Sequence, residues 1–244
     1  MNSLAAAVDR LYEVFACYSM PDVVEMSPYR DPEKELGPFR RTLLRQLKAD
    51  ELNAYAFHAL TTVGSEALFK YALPRLLELV TNHELLTDAQ IVFGKLRYSQ
   101  WTHRPEREQD AMRTLMLAWW RDTLKLQPTT FGITSETALC SIAQAEDELT
   151  PYLALWLADD SSLALVHLAV FLGLHWENST GRLAFGAFWN DRALQAGQVA
   201  DWLSSSSVRR TMRARIAAAP DAENLSEEGF DFIHDASTIL DVIK

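Results

Sequence analysis

The sequence predicts an all-α protein. Apolar residues recur at helical spacing in nearly every segment, and the alternation of Val, Ile and Thr that is typical of strands does not occur. The segments end at Pro, Gly, Ser, Thr or Asp, the residues that cap or stop helices. Paired segments restart near residues 50, 88, 135 and 183, and this spacing of about 40 residues is typical of HEAT-like arrays. We therefore predict a HEAT-like stack of antiparallel helical hairpins, with a compact irregular helical bundle as the alternative.

The first half of the chain is predicted to begin with a helix and a proline-rich connection over residues 21–38 that holds one short helical turn. In the hairpin that follows, Gly64 and Ser65 end one helix and cap the next, which bends or breaks at Pro74. In the second hairpin, Pro105 suits the first position of a helix. The predicted helices of this half cover residues 3–18, 38–47, 50–63, 65–81, 87–96 and 105–126.

The second half continues the helical pattern almost to the end of the sequence. Its most apolar helix, residues 162–172, is apolar on every side, which predicts burial in a core. The two segments after it form a further pair, and a closing helix follows. The predicted helical segments of this half cover residues 134–144, 150–159, 162–172, 183–203, 206–219 and 227–243.

We predict a single all-helical domain over residues 1–244, with an alternative boundary near residue 128. The 244 residues are 48% hydrophobic and 23% charged, which is typical of a folded protein with a sizeable core. The stretch LQPTTFG is rich in turn residues. A boundary there would separate a first half, residues 1–127, from a second half, residues 128–244.

The charge balance and the apolar runs disfavour nucleic acids and membranes as partners. The chain has 33 acidic and 23 basic residues and a formal charge of −10, so it repels phosphate backbones and anionic lipid. The most apolar run, residues 163–176, contains two histidines and is shorter than the roughly 20 residues of a membrane span. Asp9, Arg10 and Glu13 interrupt the N-terminal apolar segment, which predicts that no secretion signal is cleaved.

Cysteine usage favours a reducing compartment. The two cysteines, Cys17 and Cys140, both lie within apolar helical patterns. A free cysteine in such a pattern usually behaves as a small buried hydrophobe rather than as half of a disulfide. We therefore predict a cytoplasmic protein with two buried thiols.

One part of the chain resembles a known family. Residues 50–80 read DELNAYAFHALTTVGSEALFKYALPRLLELV, and residues 91–101 read IVFGKLRYSQW. These stretches resemble a family of uncharacterised all-helical bacterial proteins, and the likeness extends over about residues 5–125. The resemblance implies a helical fold and a bacterial origin, but it implies no activity. Members of that family often have a cysteine-rich stretch where this chain reads VVEMSPY, so a metal role for that loop has no ligands here.

His58 is the first candidate for chemistry, because the stretch around it, YAFHALTTVG, is otherwise made of apolar and hydroxyl side chains. On a helical wheel it lies about 140° from the centre of the apolar stripe, with Phe57 on the other side. We interpret His58 as a packing residue that faces solvent or a neighbouring hairpin. The predicted core stripe consists of Leu52, Tyr55, Ala56, Ala59, Leu60 and Val63.

The most apolar helix suggests a second candidate site. His167 is expected to be buried, so its ring must find a hydrogen-bond partner. His175 lies close to the same angular position, and Glu177 follows it. A polar pocket of His167, His175 and Glu177 is the catalytic hypothesis, and a satisfied core histidine beside a loop histidine is the alternative. The spacing does not match the helical histidine pair of a zinc site, so we predict no metal.

Two further clusters are candidate binding surfaces. Aromatic residues gather in the second hairpin, and such residues are enriched in binding hot spots, although they fill helical cores equally well. The stretch VRRTMRARI carries the only concentrated basic charge, and it is a candidate site for an anionic partner. Its guanidinium groups are expected to remain in water. The candidate binding residues are Trp101, Trp119, Trp120, Arg209, Arg210 and Arg213.

The function that fits these observations best is binding of another protein by a non-catalytic helical-repeat module. The sequence has no Gly-rich phosphate loop, no nucleophile motif and no zinc-ligand pair, so we predict no cofactor and have no sequence evidence for an enzyme. Stacked hairpins recognise partners over an extended face that needs no short motif. One alternative is an enzyme or small-molecule binder that uses the histidine pocket. Another is an acidic inhibitor or immunity-type protein for a basic partner.

Overall fold

The computed structural model describes residues 3–128, 134–218 and 227–243, and these residues are mostly helical. The predicted all-α class is confirmed. The described residues also hold one antiparallel hairpin of two-residue strands, β1 (Trp176–Glu177) and β2 (Arg182–Leu183), and short 3-10 helices at 44–46, 101–103 and 187–192. The α-helices are α1 (Leu4–Phe15), α2 (Pro32–Arg41), α3 (Ala49–His58), α4 (Glu66–Thr81), α5 (Ala89–Tyr98), α6 (Glu106–Thr123), α7 (Ser135–Ala145), α8 (Thr150–Ala158), α9 (Ser162–His175), α10 (Ala193–Ser204), α11 (Ser206–Ala218) and α12 (Glu227–Val242).

The chain forms two compact units, Met1–Trp119 and Trp120–Lys244. Each unit has its own buried apolar core. The HEAT-like stacking of hairpins, the single domain over residues 1–244 and the alternative boundary near residue 128 stay predictions. Across the described ranges, no helix is both long enough and apolar enough to cross a lipid bilayer.

In the first unit, α1 packs along α4, and α3 contacts α2, α4 and α5. The segment between α1 and α2 is tied to the chain that follows α3. The N–H of Ser27 donates to the carbonyl of Thr62 (2.9 Å), and the N–H of Gly64 donates to the carbonyl of Glu25 (2.8 Å). These backbone bonds hold a long connection against the end of α3 without a regular sheet.

α2 begins earlier than the sequence predicts. The side chain of Asp31 accepts hydrogen bonds from the N–H groups of Glu33 (3.0 Å) and Lys34 (3.4 Å), which caps the helix. Pro32 occupies the first helical turn, where its missing N–H would have no partner. The predicted connection over residues 21–38 is therefore wrong in its C-terminal part, because an N-cap signal outweighs the proline content there.

α3 is shorter than predicted, since it ends at His58 rather than at residue 63. Leu60 has a φ of +62°, in the left-handed region that a helix cannot continue through. The carbonyl oxygen of His58 instead accepts the N–H groups of residues 61–63 at 3.1–3.2 Å. Most of the predicted core stripe is confirmed: Leu52, Tyr55, Ala56, Ala59 and Val63 are at most 1% exposed, whereas Leu60 is half-buried.

Two other predictions in the first unit are wrong in whole or in part. A break at Pro74 does not occur, because the helix is continuous from Glu66 to Thr81, and the alternative of a bend at Pro74 stays a prediction. Cys17, expected to be buried, is exposed because α1 ends at Phe15 and the thiol lies beyond the apolar stripe. Cys140 in the second unit is buried as expected.

In the second unit, α12 packs along α9, and α10 contacts both α8 and α11. The core is built around Trp156, which is 1% exposed. Its ring meets Trp120 and Phe171 edge to face at 5.2 and 5.5 Å, and it stacks on Trp202 at 5.6 Å. The indole N–H of Trp156 donates to the carbonyl of Ala164 (3.0 Å), so this polar atom is satisfied inside the core.

Arginine side chains bind the C-terminal carbonyls of several helices. These carbonyls have no donor within their own helix, and they lie at the negative end of the helix dipole. A guanidinium group satisfies both requirements, because it is always charged and carries five N–H donors. The bonds are Arg107 to Val14 in α1 (2.7 Å), Arg192 to Ala143 in α7 (2.6 Å) and Arg215 to Leu157 in α8 (2.8 Å).

Candidate functional site

The structure gives the three residues of the predicted polar pocket separate partners. His167 and His175 are eight residues apart on α9, which places them about 12 Å apart along the helix axis. Glu177 lies in β1 with an exposed side chain, and its carboxylate accepts the hydroxyl of Thr180 (2.8 Å). The predicted trio therefore does not act as one cluster.

His167 is fully buried, and each ring nitrogen has a backbone partner. Nε2 lies 2.9 Å from the carbonyl of Leu126, and Nδ1 lies 3.3 Å from the N–H of Ser135. The ring therefore donates from Nε2 and accepts at Nδ1, which is a neutral imidazole. Burial lowers the pKa of His167, and it outweighs the opposite effect of the carbonyl of Leu126. This geometry is that of a satisfied core histidine, because neither nitrogen is free for substrate.

His175 instead belongs to a cluster that we call the Glu136 cluster, formed by Glu136, His175 and Trp189. The carboxylate of Glu136 binds His175 Nε2 through one oxygen (2.8 Å) and accepts the indole N–H of Trp189 through the other (2.9 Å). His175 Nδ1 faces the carbonyl of Ala184 (3.3 Å). The centroid of the His175 ring lies 4.5 Å from that of Phe185, so an aromatic ring packs against the histidine that binds Glu136.

The Glu136 cluster joins α7, α9 and the 3-10 helix at 187–192. Glu136 lies in the first turn of α7, where the helix dipole favours a carboxylate. Each of its oxygens accepts one hydrogen bond, so the carboxylate is held between His175 and Trp189. Within the described ranges, no group of three or more His, Cys, Asp or Glu residues is arranged to hold a metal ion. The geometry fits a structural clamp.

Sequence reasoning missed Glu136 because it lies 39 residues from His175. No local pattern links the two positions, and Glu177 is the nearer acid in the sequence. The only signal was an acidic residue in the first turn of a helix, which the dipole explains without any partner.

We expect Glu136→Ala to lower the free energy of unfolding by about 2 kcal/mol, because it leaves the N–H groups of Trp189 and His175 without an acceptor. Glu177→Ala, two residues from His175, should change it by less than about 0.5 kcal/mol, because that carboxylate is exposed. Urea unfolding measures both values. Glu136→Gln should recover most of the loss, since an amide oxygen still accepts from the indole. Equal effects of the two alanine variants would contradict the assignment of Glu136 as the partner.

The three candidate tryptophans are buried. Trp101 and Trp119 are 1% exposed in the first unit, and Trp120 is 0% exposed in the second. Trp119 stacks on Phe93 with centroids 5.1 Å apart, while Trp120 donates its indole N–H to the carbonyl of Tyr152 (2.9 Å). The rings of Trp119 and Trp120 point about 100° apart on α6, so each has its own set of neighbours. Their proposed binding role gains no support from this arrangement.

The arginines of α11 divide into fixed and free groups. Arg209 donates to the carbonyl of Ile243 (2.8 Å), and Arg213 donates to the carbonyl of Leu240 (2.6 Å) and pairs with Asp241 (2.8 Å). Arg213 remains exposed as expected, whereas Arg209 is half-buried. Arg210 is exposed, and it makes no ion pair with any residue of the described ranges.

His58 is half-buried at the end of α3 and accepts a hydrogen bond at Nδ1 from the guanidinium of Arg30 (3.2 Å). Because Arg30 can only donate, the ring is the neutral tautomer with its proton on Nε2. Burial and the charge of Arg30 lower the pKa of His58, in that order. The interpretation of His58 as a packing residue agrees with these contacts.

Large apolar side chains are exposed on α3 and in the segments that are hydrogen-bonded to it. Tyr29 is 96% exposed, Phe57 52% and Leu86 89%. The ring of Phe57 meets that of His58 edge to face at 5.1 Å, and Tyr29 precedes Arg30 in the chain. Asn53, one turn before Phe57 on α3, accepts the N–H of Leu86 (2.7 Å). We call the surface of Tyr29, Phe57 and Leu86 the α3 face.

Comparison of the chain with known protein families, with curated proteins and with solved structures finds no match. The resemblance of residues 50–101 to an all-helical bacterial family stays a prediction. The geometry of the chain itself is thus the basis for assigning a function.

Proposed function

We propose that this chain is a non-catalytic helical protein that binds another protein through the α3 face. The observation that carries the proposal is the exposure of Phe57 in α3, and of Tyr29 and Leu86 in segments that are hydrogen-bonded to α3. Aromatic residues in such positions are typical anchors of protein interfaces, because they bury a large area at a small cost in side-chain entropy. The proposal includes the HEAT-like stacking of hairpins and a cytoplasmic location.

The frame beneath the α3 face supports the proposal because it is held by hydrogen bonds. Asn53 fixes the backbone at Leu86, and the hydroxyl of Thr87 donates to the carbonyl of Asn53 (3.1 Å). Arg30, next to Tyr29, is fixed by His58 (3.2 Å). A surface that is ordered before binding loses less entropy on association, so exposed apolar groups on it contribute more to affinity.

The test is affinity capture with the full chain, cross-linked at physiological salt in lysate of cells that express it. A protein enriched by the wild type should be recovered at least about tenfold less with Phe57→Glu, because a charge at the centre of an apolar interface costs more than 1.4 kcal/mol. The matched control is Leu194→Glu, which places the same charge on α10 at a side chain that is 81% exposed.

Circular dichroism melting of both variants excludes unfolding as the cause of lost recovery. Repeated failure of the wild type to enrich any protein would contradict the proposal. An equal loss with Leu194→Glu would also contradict it, because a general charge effect would then explain the result.

The second candidate, an acidic inhibitor of a basic protein, is favoured by one groove in the first unit. The groove has a volume of about 410 Å³ and lies between α1 and α6, with Asp9, Glu13 and Asp110 among its lining residues. Arg10 also lines the groove and pairs with Glu13 (3.2 Å), so three carboxylates and one guanidinium group give it a negative balance that would accelerate association with a cation-rich partner. A partner whose recovery falls steeply with salt and with Asp110→Asn, but not with Phe57→Glu, would favour this function.

The third function considered, an enzyme or small-molecule binder at the histidine pocket, has less support. His167 has backbone partners on both nitrogens, and His175 is held by Glu136. A substrate would have to displace these bonds before it reached either ring. We therefore rank this function below the two binding functions.

A further inference from the structure

We propose that the second unit holds a pocket on α11 that binds the phosphoryl group of a small phosphate monoester. The pocket has a volume of about 300 Å³, and its lining residues are Ser206, Arg209, Arg210 and Arg213. The pocket lies in the second unit and the α3 face in the first. A result at the pocket therefore does not test protein binding by the α3 face, and the capture experiment does not test the pocket.

The four lining residues form one stripe of α11. Their positions follow the spacing i, i+3, i+4 and i+7, which brings side chains to the same face of a helix. The opposite face holds Val208 and Met212, which are buried, so the helix cannot rotate to hide the arginines without exposing its core contacts. The sequence pattern therefore fixes three guanidinium groups on the accessible side.

Two of these groups are held in place by the end of α12. Arg209 donates from Nη1 to the carbonyl of Ile243, and Arg213 donates from Nη2 to the carbonyl of Leu240. Arg213 also uses Nη2 to pair with Asp241, and the Nε of Arg209 is buried, so the remaining N–H groups of the two side chains are left for a ligand. Arg210 is exposed, and its side chain can change conformation to contact a ligand in the pocket. Preorganised donors of this kind favour tetrahedral oxyanions, which accept several hydrogen bonds at once.

The described lining of the pocket carries three positive charges, although the chain as a whole carries −10. Among the described residues, the carboxylate that pairs with this stripe is that of Asp241, which binds Arg213 (2.8 Å). Ser206 is the first residue of α11, so backbone N–H groups and the positive end of the helix dipole lie at the same edge. Both contributions favour an anion at the Ser206 end of the stripe.

The size and walls of the pocket indicate a small ester rather than a polymer. A volume of about 300 Å³ is at the lower end of the range for small-molecule sites, roughly 300–1,000 Å³. The methylene stems of the arginines offer apolar walls beside the charged heads. A phosphoryl group would bind the guanidinium heads, and one compact organic substituent would contact the methylene stems. The net negative charge of the chain repels long polyanions.

The test uses nuclear magnetic resonance titration of the labelled full chain with phenyl phosphate, at constant ionic strength. We expect saturable shifts of the amides of residues 206–213. Arg210→Gln should weaken binding at least fivefold, while Arg182→Gln, which removes the same charge from an exposed position of β2, should leave it unchanged. Inorganic phosphate should bind more weakly than phenyl phosphate, because it makes no contact with the stems.

Several outcomes would overturn the proposal. Shifts that do not saturate would show that no site exists. An equal loss with Arg182→Gln would show general attraction by charge. Affinity for inorganic phosphate equal to that for phenyl phosphate would overturn the assignment to an ester. Co-sedimentation with phosphatidic acid vesicles that Arg210→Gln abolishes, without binding of phenyl phosphate, would move the site to a lipid headgroup and overturn the assignment to a small molecule.

Discussion

His167→Phe is expected to lower the free energy of unfolding at pH 7.5 by about 2–4 kcal/mol. Phenylalanine fills the space of the imidazole, so the decrease in the free energy of unfolding comes mainly from lost hydrogen bonds. The carbonyl of Leu126 and the N–H of Ser135 lose their partner, and the hydroxyl of Ser135, which donates to the carbonyl of residue 167 (3.1 Å), is the only bond of the set that the variant keeps. Urea unfolding measures the effect, and the exposed His103→Phe is the matched control.

The same variant should show a characteristic pH dependence. Burial lowers the pKa of His167 in the folded protein below its ordinary value of about 6.5. The unfolded chain therefore binds the proton more readily, so the stabilisation by His167 is complete above about pH 6.5 and is lost as the pH falls towards the folded-state pKa. The difference between wild type and His167→Phe should be larger at pH 7.5 than at pH 5.5. A difference that does not change with pH would contradict the neutral tautomer.

Arg192→Met should lower the free energy of unfolding by a similar amount, about 2–4 kcal/mol. The buried guanidinium binds the carbonyls of Ala143 (2.6 Å) and Glu146 (2.7 Å), as well as the carboxylate of Asp147 (2.7 Å). Methionine retains the apolar stem but leaves the end of α7 without donors. The carboxylate of Asp147 is 83% exposed, so we assign little of the loss to the ion pair.

Two variants make the Arg192 experiment specific. Arg182→Met removes an exposed charge in the same unit and should change stability by less than about 0.5 kcal/mol. Arg192→Lys should recover only part of the loss, because a single ammonium group cannot reach three acceptors in a fixed plane. Full recovery with lysine would show that charge, rather than the geometry of the guanidinium, stabilises the end of α7.

The helical class and most of the helices could be predicted because apolar periodicity is a local property of the sequence. The ends were harder. The start of α2 depends on the cap at Asp31, whose signal was masked by the prolines around it. The end of α3 at His58 depends on the left-handed conformation of Leu60. Leucine rarely adopts this conformation, so the sequence does not predict it. Such local choices are decided by packing and by backbone hydrogen bonds from the segment before α2.

The candidate sites depend on contacts between distant parts of the chain, which a single sequence does not reveal. Burial of His167 followed from its helix, but its partners at Leu126 and Ser135 did not. The basic stretch of α11 was recognised, although its bonds to Leu240 and Ile243 require the position of α12. The α3 face was missed, because an exposed Tyr29 or Leu86 cannot be told from a core residue by its type.

The use of arginine at helix ends has a consequence for the response of the protein to ionic strength. Guanidinium groups such as those of Arg107 and Arg215 are bound to neutral carbonyl oxygens, so they leave many carboxylates of this acidic chain uncompensated. Added electrolyte screens the mutual repulsion of those carboxylates, while short, partly buried bonds to carbonyls are much less affected. Moderate sodium chloride should therefore raise the melting temperature, in contrast to a protein whose arginines stabilise it through surface ion pairs.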